Sequence, residues 1–364
     1  MTDSVSDGTE SSPSEHRLER LLNEGAPEGL FTGAAAAVGT SDGIAWQTTV
    51  GERDPRSGDP VTPGTLFDVA STTKTVVTTV VLLRLVENGA LALSAPIGEY
   101  VPPLSETDRG EIPLHRFMTH TSGLQPYHYD PEWQTPDEAR KNIYEADLVT
   151  ADPGDRFEYS CLNYVHLADV ARRVTDRTLA DLASEYVFEP AGMEHARMGP
   201  VETARSPAAV TYDRDHADAA FVGEINDPIA RAFAGESGNA GLFATATDLG
   251  HFASQLLADG TDTSDDDDGH LLAPGTIERM SQNWLPDCDR PQGLGWRLAR
   301  ACYPAPNWSL ASFGHTGYTG TSLWLDPEAD RFAVLLTNEV YCGKENGMRQ
   351  FRERFHGAVA GERY

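Results

Sequence analysis

Lysine is nearly absent from this chain: 364 residues contain only Lys74, Lys141 and Lys344. Basic residues number 28 against 56 acidic ones, a formal net charge of −28. That deficit of positive charge argues against nucleic acid or an anionic membrane as a partner, because both would be repelled. Cysteine is also scarce. Cys161, Cys288, Cys302 and Cys342 show neither C-x-x-C spacing nor a dense framework, so neither a metal site nor a disulfide scaffold is expected. No run of 18 apolar residues exists, since Arg84 interrupts the best candidate. Residues 1–15 are acidic and Ser-rich, with no basic or apolar leader region, and read as a disordered tail on a cytoplasmic protein.

What the chain does have is one apolar stretch with an amine at its root. Val76, Val77, Val80, Val81, Leu82, Leu83 and Leu85 precede Asn88-Gly89, a helix-stop pair. A helix apolar on nearly every face belongs in a core. Ser71 would lie in its first turn, with Lys74 three residues on and facing the same way. A buried ammonium is costly unless it is paired or has a task. One task is to activate Ser71 as a nucleophile, with desolvation and neighbouring charge lowering the Lys74 pKa. The alternative is a chance S-x-x-K, which the tetrapeptide alone does not exclude.

The remaining chain suggests two lobes. His16–Asn23 has helical spacing, and Gly33–Gly39 with Gly43–Val50 reads as a hairpin. From about residue 91 to 289 the pieces are helical, including Pro113–His120, a helix ending near Arg173, Ala180–Phe188 and Thr247–Ala258. The acidic run Asp265–Asp268 reads as a solvated loop; it lacks the pattern of a calcium-binding EF-hand. Strand-like segments return at Leu294–Leu298, Ser322–Asp326 and Phe332–Thr337, before a closing helix over about Asn346–Val359. The expected fold is α+β: a single domain over 16–364, with one sheet built from both ends of the chain. Residues of about 16–90 and 290–364 would form the sheet lobe, and an all-helical lobe would be inserted between them.

Two further clusters carry possible chemistry. Tyr159 follows the Pro153-Gly154 turn; its phenol could exchange protons with a hydroxyl, or it could simply anchor a helix start. Gly314-His315-Thr316-Gly317-Tyr318-Thr319-Gly320 could bring a backbone N–H to an oxyanion, or be an ordinary glycine-rich hairpin entry.

Ser71-x-x-Lys74, Tyr159-Ser160 and His315-Thr316-Gly317, in that order, resemble the serine β-lactamase-related family. The likeness is to the branch of class C β-lactamases, D-alanyl-D-alanine peptidases and related esterases. Thr119–Leu124, Gly238–Phe243, Gly293–Trp296 and Gly320–Pro327 extend it over most of the chain. The resemblance implies an antiparallel sheet flanked by helices, with Ser71 as nucleophile and Lys74 and Tyr159 sharing base and acid duty. It implies an oxyanion hole from the N–H groups of Ser71 and Tyr318, and substrate contacts from His315, Thr316 and Gly317. No cofactor or metal is implied. The acidic, Lys-poor composition resembles that of halophilic archaea, where salt screens self-repulsion.

Two departures bear on substrate. Cys161 stands where the second motif usually has Asn, and it cannot offer an amide's donors and carbonyl. Asn163 would point to another helix face. His315 stands where efficient β-lactamases usually have Lys, so a permanent cation for a substrate carboxylate is expected to be missing. The leading expectation is a hydrolase of small esters or amides, with esters preferred. The alternatives are a D-amino-acid peptidase or weak β-lactamase, and an idle binding protein with the same fold.

Overall fold

Alternation along the Ala-rich stretch after Gly33 divides the molecule into two cores. The computed structural model describes residues 13–212, 219–262, 269–344 and 346–361. Its main sheet consists of β1 (Gly33–Thr40), β2 (Gly43–Asp54), β3 (Asp59–Pro60), β4 (Arg297–Leu298), β5 (Phe313–Thr316), β6 (Ser322–Asp326) and β7 (Arg331–Thr337). The strands lie in the order β3-β2-β1-β7-β6-β5-β4, every neighbour antiparallel. Ala34 sits opposite Thr337 and Val38 opposite Ala333, so the two ends of the chain close the sheet as expected.

Successive strand side chains point to opposite faces. Ala35, Ala37, Phe332, Val334 and Leu336 face a core shared with the Ala246–Thr261 helix and the Lys74–Glu87 segment. Ala34, Ala36, Val38, Ala333 and Leu335 face the other way, toward Leu18, Leu22, Phe351 and Phe355 of the two terminal helices. Those helices span Pro13–Gly25 and Met348–Ala360. Each buried aliphatic side chain of Leu size contributes about 1.5–3 kcal/mol. The small Ala side chains have a geometric use: at Gly250 the helix approaches so closely that a Cβ would sit 2.7 Å from Ile44 Cδ1.

The inserted lobe departs from the all-helical expectation. Phe67–Asp68, from the range expected in the sheet lobe, joins Leu242–Ala244 and Arg197–Met198 of the inserted lobe in a small sheet, and Val210–Tyr212 pairs with Ala220–Val222. Short apolar runs of this kind do not announce strand or helix by their period. The first of these strands anchors the residues just before Ser71. The expected tail over residues 1–15 falls largely outside the described residues, as does Asp265–Asp268; Pro13 onward is helical. Among the described residues no helix is long and apolar enough to cross a membrane. All four cysteines are free.

Candidate active site

Ser71 does not begin a regular helix. Ala70–Thr72 is a 3₁₀ turn, Lys74–Thr79 is wound as a π-helix, and α-helical geometry starts only at Val80. Thr79 Oγ1 donates to Lys74 O at 2.8 Å, a side-chain intrusion of the kind that widens a helix. Ala70 has φ +47°, a costly conformation for a residue with a Cβ. It is held by the Asp68 carboxylate, which accepts Ala70 N–H at 2.8 Å and Asn226 N–H at 2.7 Å. Thr73 Oγ1 closes the turn onto Ala70 O at 2.7 Å.

Lys74 is fully buried and its three N–H donors have three partners. Nζ donates to Asn239 O at 2.7 Å, to Ser71 Oγ at 2.9 Å and to Cys161 Sγ at 3.6 Å. The Tyr159 ring centroid is 5.2 Å from Nζ and that of Tyr164 is 5.7 Å. Desolvation opposes the charge, but the Cys161 and Tyr159 groups and the Asp227 carboxylate outweigh it, so the Lys74 pKa is raised. The expected lowering is therefore corrected: desolvation acts in the expected direction, but the neighbouring groups favour the charged amine instead of opposing it. Burial pushes the Cys161 thiol up, against the pull of Lys74.

Tyr159 lies in the irregular stretch before the Cys161–Thr175 helix, with its hydroxyl buried and completing no hydrogen bond of its own. Imidazoles flank its ring: His120 at 4.5 Å and His315 at 6.0 Å between centroids. His120 Nδ1 accepts from Ser160 N–H at 3.2 Å, which leaves its proton on Nε2. Burial first, then Lys74 and Arg297, holds His120 well below the ordinary imidazole range. His315 is also held low, by burial, Arg297 and Lys74. Asn163 bonds Ser122 and His120 instead of facing Lys74, in line with its helix position.

The third motif lies on β5 and the turn after it. Thr319 Oγ1 donates to Asp68 O at 2.6 Å and Thr321 Oγ1 to Val69 O at 3.1 Å, tying this turn to the segment that carries Ser71. Tyr318 is among the few exposed large hydrophobic side chains, at 37%. His315 is 1% exposed and bonds Thr316 O through Nδ1, so it backs the site. Arg297, on β4, donates to Thr316 Oγ1 at 3.0 Å and stacks 5.4 Å from the Tyr159 centroid. A guanidinium thus stands next to Thr316, on the strand beside the one that carries His315.

The family model described as Beta-lactamase matches residues 18–356. The chain belongs to the beta-lactamase family. It is 29% identical over 362 residues to Protein Rv1367c of Mycobacterium tuberculosis, covering 86% of this chain and 88% of that one. Its fold is similar to that of EstCE1, a hydrolase with promiscuous acyltransferase activity, with a TM-score of 0.78 at 21% identity. That match covers 96% of this chain and 98% of the other. It is also similar to the Beta-Lactamase/D-Alanine Carboxypeptidase from Pseudomonas syringae, with a TM-score of 0.78 at 18% identity over 97% of this chain and 100% of that one. The fold of this beta-lactamase-family chain is accordingly the α+β arrangement of β-lactamases and DD-peptidases.

Three participants escaped the sequence reading. Asn239, whose carbonyl takes one Lys74 proton, lies in the glycine-flanked Gly238–Gly241 stretch. His120 sits in Thr119–Leu124, and Arg297 directly follows Gly293–Trp296. All three stretches carried the resemblance, but spacing alone assigned their side chains no direction. Among the described residues no His/Cys/Asp/Glu group suits a metal ion.

Proposed function

We propose that this beta-lactamase-family serine hydrolase forms an acyl-enzyme on Ser71 and cleaves a small carboxylic ester or amide, with esters preferred. The observation that carries the reading is the 2.9 Å contact between Lys74 Nζ and Ser71 Oγ beside an unpartnered, buried Tyr159 hydroxyl. The Lys74–Tyr159 pair takes up the Ser71 proton as the hydroxyl becomes a nucleophile. Ser71 Oγ then bonds the substrate carbonyl carbon, and the relayed proton goes to the departing alcohol or amine. Water next attacks the acyl carbon, gives its proton to the same pair, and releases the acid as Oγ is reprotonated. The N–H groups of Ser71 and Tyr318 would hold the oxyanion in both steps. Thr316 and Gly317 would line the substrate's path. Cys161 in place of an amide supports the ester preference.

Arg297 favours a second reading, a D-amino-acid peptidase or weak β-lactamase, since a guanidinium beside Thr316 can pair with a substrate carboxylate. Labelling with a fluorophosphonate tests the nucleophile: one adduct on Ser71, absent in Ser71→Ala, is expected. Turnover of p-nitrophenyl acetate, nitrocefin and a D-Ala-D-Ala peptide then separates the two readings. Faster hydrolysis of nitrocefin or the peptide than of the acetate would overturn the ester preference.

A further inference from the structure

Behind the Gly317–Gly320 turn lies a group of charges that the acyl-transfer scheme leaves unused. Glu339 follows β7 and is 4% exposed. Its carboxylate pairs with Lys344 Nζ at 2.9 Å and with Arg352 Nη2 at 3.4 Å. Arg352 comes from the C-terminal helix, largely buried, with burial pushing its guanidinium down. Both cations spend donors on the carbonyls of the turn. Arg352 donates to Gly320 O at 3.1 Å and Gly317 O at 3.3 Å, and Lys344 donates to Tyr318 O at 2.6 Å. Lys344 Nζ also lies 4.5 Å from the Tyr318 ring centroid.

Peptide geometry gives these contacts a consequence. In a planar trans peptide the C=O and the following N–H point in opposite directions. Pinning Gly317 O toward Arg352 therefore turns the Tyr318 N–H away from the C-terminal helix. The Ser71 segment lies against the same turn: a Cβ at Gly317 would sit 2.3 Å from Val69 O, and Thr319 bonds Asp68 O. A buried ion cluster is an expensive way to gain stability. It is an effective way to fix one orientation of a short glycine-rich turn.

We propose that Glu339, Lys344 and Arg352 are positioning residues, a charged clamp that keeps the Tyr318 N–H aimed at the oxyanion formed on Ser71. The proposal rests on the acyl-enzyme reading above. The clamp touches no substrate, and acts through backbone carbonyls.

The test uses the full chain carrying Arg352→Gln, Arg352→Lys or Lys344→Met, with folding checked by circular dichroism. Lys344 is partly exposed, at 34%, so its substitution leaves the core undisturbed. For p-nitrophenyl acetate, kcat should fall about 10–100-fold in Arg352→Gln and Lys344→Met, with KM within about threefold, because an oxyanion donor acts in the transition state. Arg352→Lys should recover part of the loss. Hydrogen exchange of the peptide containing Tyr318 should quicken in the same variants, while β7 stays protected. Unchanged kcat in folded Arg352→Gln and Lys344→Met, with wild-type Ser71 still labelled by fluorophosphonate, overturns the clamp alone. A fall in kcat without faster exchange at Tyr318 overturns it as well. Wild-type protein that takes no label on Ser71 overturns the acyl-enzyme reading, and the clamp's catalytic role with it.

Discussion

Cys161 Sγ accepts the third proton of Lys74 across 3.6 Å, completing a set whose other members are Ser71 Oγ and Asn239 O. Sulfur is a weak acceptor, so this is the softest of the three contacts. Cys161→Ala removes it and leaves a buried ammonium donor unpaired. The folded state should lose about 1–3 kcal/mol, read from urea unfolding. Cys161→Asn offers an amide to Lys74 and to the substrate. One added hydrogen bond of about 1 kcal/mol should raise the ratio of D-Ala-D-Ala peptide to ester turnover about fivefold. A ratio unmoved by the change would remove Cys161 from the specificity argument.

Arg297 makes a different demand. Its guanidinium holds Thr316 Oγ1 at 3.0 Å and has no counterpart on the His315 side chain, which burial keeps neutral. Arg297→Gln should raise KM about 10–100-fold for a substrate bearing a carboxylate next to the scissile bond, the worth of one charged hydrogen bond. KM for p-nitrophenyl acetate should shift less than about threefold. Equal losses for both substrates would mean that Arg297 only braces Tyr159.

The contrast between these residues shows what the sequence made legible. Order and spacing brought out Ser71, Lys74 and Tyr159, and the structure gathers them around one ammonium. Period-two and period-3.6 patterns recovered the β1–β2 hairpin, β6, β7 and the terminal helices. Arg297 was hidden because nothing local to β4 says that Thr316 will be its neighbour; that pairing spans 19 residues. The direction of the Lys74 shift was missed for a related reason. It depends on Cys161, Tyr159 and Asp227, which arrive from other elements, and burial read alone gives the opposite sign. The helix at Ser71 was anticipated as regular, whereas its π-turn depends on a Thr79-to-carbonyl contact that no apolar pattern encodes.

Buried histidines set an acid limit on stability. Burial lowers His166 to about 4 and His356 to about 3, from an ordinary 6.5. Between those values and 6.5 the unfolded chain binds protons that the native protein refuses, so stability falls as pH falls through that window. His166 alone accounts for about 3 kcal/mol between pH 6.5 and 4. Glu236 and Asp259, whose carboxyls burial pushes up, pull the other way over part of that range. Urea midpoints taken at constant salt should therefore drop on acidification, and His356→Gln should flatten the slope. Activity offers a separate check. With His120 and His315 neutral throughout, kcat/KM should show no limb near pH 6.5 that disappears in His315→Gln.

Net charge predicts a salt response. At −28 the native surface repels itself, and screening lengths shrink from about 10 Å at 0.1 M to about 3 Å at 1 M. The melting temperature should climb as KCl is raised through that range. A melting temperature that is flat or falls with KCl would remove the high-salt reading of the composition.

Gly317 is the position where the oxyanion turn and the nucleophile's segment come closest. A Cβ there would sit 2.0 Å from Thr321 Oγ1 and 2.3 Å from Val69 O, and the second contact is backbone with no rotamer to escape into. Val69 is two residues from Ser71, and Thr321 Oγ1 is the group that bonds its carbonyl at 3.1 Å. Gly317→Ala must therefore lift the turn from the Ser71 segment or break that bond. A displacement of about 1 Å at an oxyanion donor is worth about 100-fold in rate. The expected result is a kcat about 100-fold lower, with Lys74 and Ser71 still in contact and fluorophosphonate labelling slowed in parallel. Gly275→Ala is the matched control, because a Cβ there meets nothing within 4 Å and the residue lies in the Pro274–Ser281 helix. It should keep full activity and gain a few tenths to about 1 kcal/mol of stability. If Gly317→Ala turns over substrate as fast as Gly275→Ala, the turn has no part in holding the oxyanion.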